Sequence, residues 1–141
     1  MADLSSLIRV RKHSVEQKQK RVAELYREAE ELAAQKAKLL GDLEAEEERV
    51  KDMSVEMMSY FGPYSEAVKD RVASIEEKEA LLETRIEVAR DDMRRAFAEL
   101  KKIEITQERR EDEEEKAINK KESAELDEIA IEGFRRKQDE G

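Results

Sequence analysis

The sequence predicts an all-α protein, a long two-helix antiparallel coiled-coil hairpin with a C-terminal helical overhang. Three observations carry this. The composition is that of long helices. An apolar residue recurs at alternating steps of four and three along two arms. Between the arms lies a single Gly-Pro stop, in the stretch YFGPY.

Charged residues make up 46% of the 141 residues, hydrophobic ones 38% and aromatics only 4%. That is too little apolar bulk for a layered globular core, and it matches the Ala, Glu, Lys, Leu and Arg profile of coiled coils. The net charge of −9 argues against nonspecific nucleic-acid binding, which needs a basic surface to displace counterions. There is no cysteine, so disulfide frameworks and thiolate metal sites are excluded. No apolar run approaches the roughly 20 residues that span a bilayer. The opening MADLSSLIRVRKHSV lacks the apolar centre of a signal peptide, so a cytoplasmic protein is expected.

The first arm, expected over about 3–60, carries its seam at Leu4, Ile8, Arg11, Val15, Lys18, Val22, Leu25, Ala29, Leu32, Lys36, Leu39, Leu43, Glu46, Val50, Met53, Met57 and Tyr60. Thirteen of these seventeen positions are apolar or aromatic, a pattern that disorder does not produce. The turn is expected at 61–64. There Gly62 can adopt the positive φ that ends a helix, and Pro63, the only proline, suits the first turn of the next. The second arm, expected over about 65–137, repeats the pattern from Val68, Val72 and Ile75 through Leu82, Ile86 and Ala89 to Leu100 and Ile103. All 141 residues thus read as one hairpin.

A turn at Gly62-Pro63 makes the numbers of facing residues sum to about 125. Leu25 then meets Leu100, Val22 meets Ile103 and Ala29 meets Ala96, apolar on apolar throughout. Arg11 falls opposite Glu114, and the basic stretch 8–21 opposite the acidic stretch 104–116. One layer is unfavourable, Glu46 against Glu79.

This register leaves residues from about 122 onward unpaired. They read ESAELDEIAIEGFRRK and place Leu126, Ile129, Ala130 and Phe134 on one side of a helix, with Ile131 nearby. Such a face needs a cover, either a partner's groove or a second copy. At the turn, Met53, Met57 and Tyr60 are expected to cap the core. Met58, Phe61 and Tyr64 lie off the seam and are expected at the surface, where Met and Tyr suit adaptable contacts. Tyr26 and Leu40 lie beside the first seam, as do Leu81 and Val88 beside the second, and read as scattered surface residues.

No constellation for chemistry appears. The one histidine, His13, sits in a basic stretch and reads as solvated. There is no phosphate loop, no HExxH motif and no pocket to shift a glutamate. Catalytic, cofactor and metal residues are therefore all expected to be none, and the protein is expected not to be an enzyme.

Three stretches carry a family likeness: SLIRVRKHSVEQKQKRVAEL (6–25), AFAELKKIEITQERRE (96–111) and AELDEIAIEGFRRK (124–137). With them the chain resembles the flagellar export protein FliJ, of the type III secretion stalk family. The resemblance implies an antiparallel coiled coil similar to the central stalk of rotary ATPases. It implies a nonenzymatic component that sits in a hexameric export ATPase, contacts the cytoplasmic domain of the export-gate membrane protein, and interacts with export chaperones. Such a protein would be peripheral on the cytoplasmic side of the inner membrane. The paired termini would enter the ATPase, placing there Ile8, Arg9, Arg11 and Lys12 with Leu126, Ile129, Ile131, Phe134, Arg135 and Arg136. Tyr26, Leu40, Met58, Phe61 and Tyr64 are surface candidates for the export-gate side. The alternatives are a hairpin chaperone for export substrates and a self-associating coiled coil, with a homodimer as its simplest form.

Overall fold

The computed structural model describes residues 3–140. Two α-helices account for nearly all of it, α1 (Ser5–Val50) and α2 (Val55–Glu140). The helices pack against each other as a hairpin, as the composition and period require.

The turn is not at YFGPY. It lies at 51–54, in the sequence KDMS. The Met53 N–H donates to the Val50 carbonyl at 3.0 Å, closing the reversal. The Ser54 carbonyl then accepts from the N–H groups of Met57 and Met58 at 3.0 and 3.1 Å, so Ser54 is the residue that starts α2. Asp and Ser are ordinary turn and helix-start residues, and neither needs a positive φ. None of the described glycines has one.

Gly62 and Pro63 instead lie inside α2, Pro63 as its ninth residue. Proline there lacks the N–H that would bond the Ser59 carbonyl, and its ring crowds that carbonyl. Both residues are exposed, so water can serve the carbonyl. The helix tolerates the proline because its two arms gain more from a different register.

The chain divides into two units, residues 13–97 and residues 1–12 with 98–141. In the first, Val22, Leu25, Leu82 and Ala89 form the buried cluster, with Ala29, Leu32, Ile86 and Met93 packed against it. Leu25 is the most enclosed residue, 1% exposed. Val50, Val68, Val72 and Ile75 are buried towards the turn. Leu25 therefore packs on the stretch around Leu82 and Ile86, not on Leu100, and the register centred on Gly62-Pro63 is incorrect.

The second unit gives the register directly. The Leu4 N–H donates to Gln107 Oε1 at 3.3 Å, so partner numbers here sum to 111. That is fourteen residues, two whole heptads, below the 125 expected. The physical reason is the period itself. A seam that repeats every seven residues meets apolar with apolar at every slip of whole heptads, so only polar layers and the turn discriminate.

The polar layers favour the observed register. Lys36 Nζ reaches Glu79 at 3.0 Å and Glu76 at 4.0 Å. The hydrogen bond to Glu79 raises the Lys36 pKa above 10.5, against a smaller opposing effect of burial. Glu46 pairs with Arg49 one turn along, at 2.6 Å, instead of meeting Glu79. The unfavourable carboxylate layer is gone. The expected pairing of Arg11 with Glu114 is also absent: Asp112 to Glu115 are exposed and form no ion pair among the described residues.

At the start of α1, the Ser5 N–H and hydroxyl both donate to Asp3 Oδ1, at 3.1 and 2.6 Å. These bonds cap the helix and hold the Asp3 pKa below its ordinary value.

Candidate functional site

The overhang starts earlier than the sequence reading placed it. In the unit of residues 1–12 and 98–141, Leu100 is buried, Ile103, Gln107 and Arg110 are half-buried, and every residue from 111 to 140 is exposed. The unpaired helix is therefore about 45 Å long at 1.5 Å per residue. It forms without tertiary packing because its sequence is rich in Glu, Lys and Ala, strong helix formers.

Its apolar side chains are bare. Leu126 and Ile129 are each 66% exposed, Phe134 64% and Ile131 53%. Leu126, Ile129, Ala130 and Phe134 share one face by helical spacing. Arg135 and Arg136 follow at the end, also exposed. No described residue covers this face.

The proposed ATPase-end residues are not one cluster. Ile8 and Arg11 are half-buried on the α1 seam, while Arg9 and Lys12 are exposed beside them. They belong to the paired stretch, at the level of Leu100 and Ile103. Leu126 lies 19 residues beyond Gln107, about 28 Å further along α2. Three basic residues near the base, Arg9, Arg11 and Lys12, and an apolar face near the end are thus separate surfaces.

Near the turn, the structure regroups the aromatics. Tyr60 stacks on Tyr64, ring centres 6.1 Å apart and planes 14° from parallel. Phe61 packs against Tyr64 at 6.5 Å and 48°. Phe61 is half-buried, because the α2 seam continues back through Ser65 to it. Met57 and Tyr60, expected in the core, are exposed instead, and Met58 is exposed as expected. The cause is again the turn: these residues open α2 rather than close α1. Tyr26 and Leu40 are exposed on α1, fourteen residues and about 21 Å apart, so they do not join the aromatic group in one patch. The sequence signal for the true turn was present in KDMS, followed by Glu56 in the first turn of α2.

His13 is exposed, 3.4 Å from Gln17. Among the described residues no three His, Asp or Glu side chains are placed to hold a metal ion. No helix among them is long and apolar enough to cross a membrane.

A family model described as flagellar FliJ protein matches residues 1–139. No curated protein and no solved structure gives a match. The match covers the two arms, the turn and the overhang together. The chain belongs to the FliJ family, nonenzymatic components of the flagellar export apparatus.

Proposed function

We propose that the chain acts as a stalk that inserts its C-terminal overhang into the hexameric flagellar export ATPase and couples that ring to the export gate. The observation that carries this reading is the bare apolar face of Leu126, Ile129 and Phe134 on a stretch of α2 that no described residue covers. Exposed apolar side chains at helical spacing are the usual anchors for a helix entering a groove or cavity. Ile131, Arg135 and Arg136 border the same end. The basic Arg9, Arg11 and Lys12 lie at the base of the overhang, where they would meet the rim of the ring.

The residues near the turn would supply the second contact. Met58, Phe61 and Tyr64 with Tyr60 form a surface suited to the cytoplasmic domain of the gate protein or to export chaperones. Tyr26 and Leu40, exposed on α1 apart from that group, would add separate contacts. The protein would work on the cytoplasmic side of the inner membrane, held there by these partners.

The test is ATP hydrolysis by the cognate export ATPase, with the full chain and with a chain ending at residue 125. Stimulation by the full chain that is lost on truncation is the expected result. Equal stimulation by both would remove the overhang from the mechanism. A chaperone acting through the aromatic tip is favoured instead if export substrates bind without the ATPase and Tyr60→Ser with Tyr64→Ser abolishes that binding.

A further inference from the structure

The hairpin carries a furrow that the stalk reading does not use. Three depressions of about 280, 390 and 460 Å³ lie between α1 and α2 in the unit of residues 13–97. The first shares Arg85 with the second, and Gln35 and Lys78 with the third. Shared walls make them one continuous furrow. On the α2 side it is lined by Leu81, 64% exposed, and Val88, 57% exposed, seven residues apart. Arg71, Lys78 and Arg85, also at seven-residue steps, line the same wall. None of these three cations has an ion pair or hydrogen bond among the described residues.

Glu28, Glu31, Asp42 and Asp92 also line the furrow, but its α2 wall combines an apolar stripe with a row of unmatched cations, and that wall fits an amphipathic helix with an acidic border. The overhang has that chemistry. Glu125 and Glu132, seven residues apart, border the face of Leu126, Ile129 and Phe134, and neither has an ion pair or hydrogen bond among the described residues. Their spacing equals that of Lys78 and Arg85, so both pairs can form at once. The apolar residues of the overhang would then cover Leu81 and Val88.

We infer that the furrow is a docking site for the overhang of a second copy of this chain, making a local three-helix bundle. Charge complementarity and the matched seven-residue pitch select this occupant over a generic helix. Self-association would sheath the apolar face when the export ATPase is absent. Docking into the furrow and docking into the ring would then exclude each other.

The test is sedimentation equilibrium of the full chain over a wide concentration range at low salt. A concentration-dependent dimer that weakens with added salt is expected. Lys78→Glu with Arg85→Glu should weaken it by about tenfold or more, and Glu125→Lys with Glu132→Lys should do the same. An equimolar mixture of the two charge-reversed chains should restore association, because reversed furrow meets reversed overhang. Circular dichroism on each variant checks that it remains folded. A monomer at every concentration would overturn the inference. So would a dimer indifferent to both reversals, or a mixture that fails to recover. The furrow reversal should leave stimulation of the ATPase intact, which separates this inference from the stalk reading.

Discussion

One helix, α2, contains two regions built from similar residues with opposite fates. Between Val68 and Leu100 its apolar seam positions, among them Val72, Ile75, Leu82, Ile86 and Ala89, are buried or half-buried against α1. Between Ile118 and Phe134 its apolar positions are all exposed. The paired region places its apolar residues at strict four-three steps, so that one narrow stripe faces one partner. The overhang spreads Leu126, Ile129, Ala130 and Phe134 over a broader face. The first pattern describes a seam completed within the chain. The second describes a surface that no described residue of the chain covers. Helix formation alone does not distinguish them. Burial does.

The sharpest way to break this comparison is to delete matched bulk from each region. Leu25→Ala removes the most enclosed side chain and should cost about 2–5 kcal/mol in urea unfolding, as for other buried leucines. Phe134→Ala should change the same midpoint by less than about 0.5 kcal/mol, as a surface substitution does. A large loss at Phe134 would mean that the overhang is packed on its own chain.

The turn offers the next largest effect, and its sign is diagnostic. Pro63 sits inside α2, where proline costs about 3 kcal/mol relative to alanine. Pro63→Ala should therefore stabilise the hairpin, by up to about that amount. Gly62→Ala should add roughly 0.5–1 kcal/mol, since a methyl group there meets nothing within 4 Å. Destabilisation by either would return the turn to YFGPY.

The smallest effect concerns pH. The Glu79 carboxylate raises the Lys36 pKa above its ordinary 10.5, so the folded hairpin holds that proton more tightly than the unfolded chain. The stabilisation is complete below pH 10.5 and fades as the pH rises through the raised value. Lys36→Gln should show less loss of stability on that alkaline limb, measured by thermal unfolding. An identical limb in the two proteins would mean that the Lys36–Glu79 pair contributes nothing.

The contrast also explains what the sequence made legible. The seam positions were readable because a heptad repeat is a direct record of burial: Val15, Val22, Leu25, Val72, Leu82 and Leu100 all lie where the period put them. The register was not readable from the same record, because a slip of two heptads preserves every apolar match. Lys36, Glu46 and Glu79 held the missing information, and the clash of Glu46 with Glu79 marked the wrong alignment. The pull of a lone Gly-Pro outweighed the quieter signal of Asp52 and Ser54. The apolar face of the overhang was legible in full, since Leu126, Ile129 and Phe134 keep helical spacing. Its length was not, because it depends on the register.

The central claim is that this bare face enters the export ATPase. A photo-crosslinking residue in place of Phe134, with a second chain carrying it in place of Tyr60, tests the claim in the assembled ATPase hexamer. Adducts with ATPase subunits are expected from position 134 and none from position 60. Adducts from position 60 alone, with the hexamer shown to be intact, would contradict it.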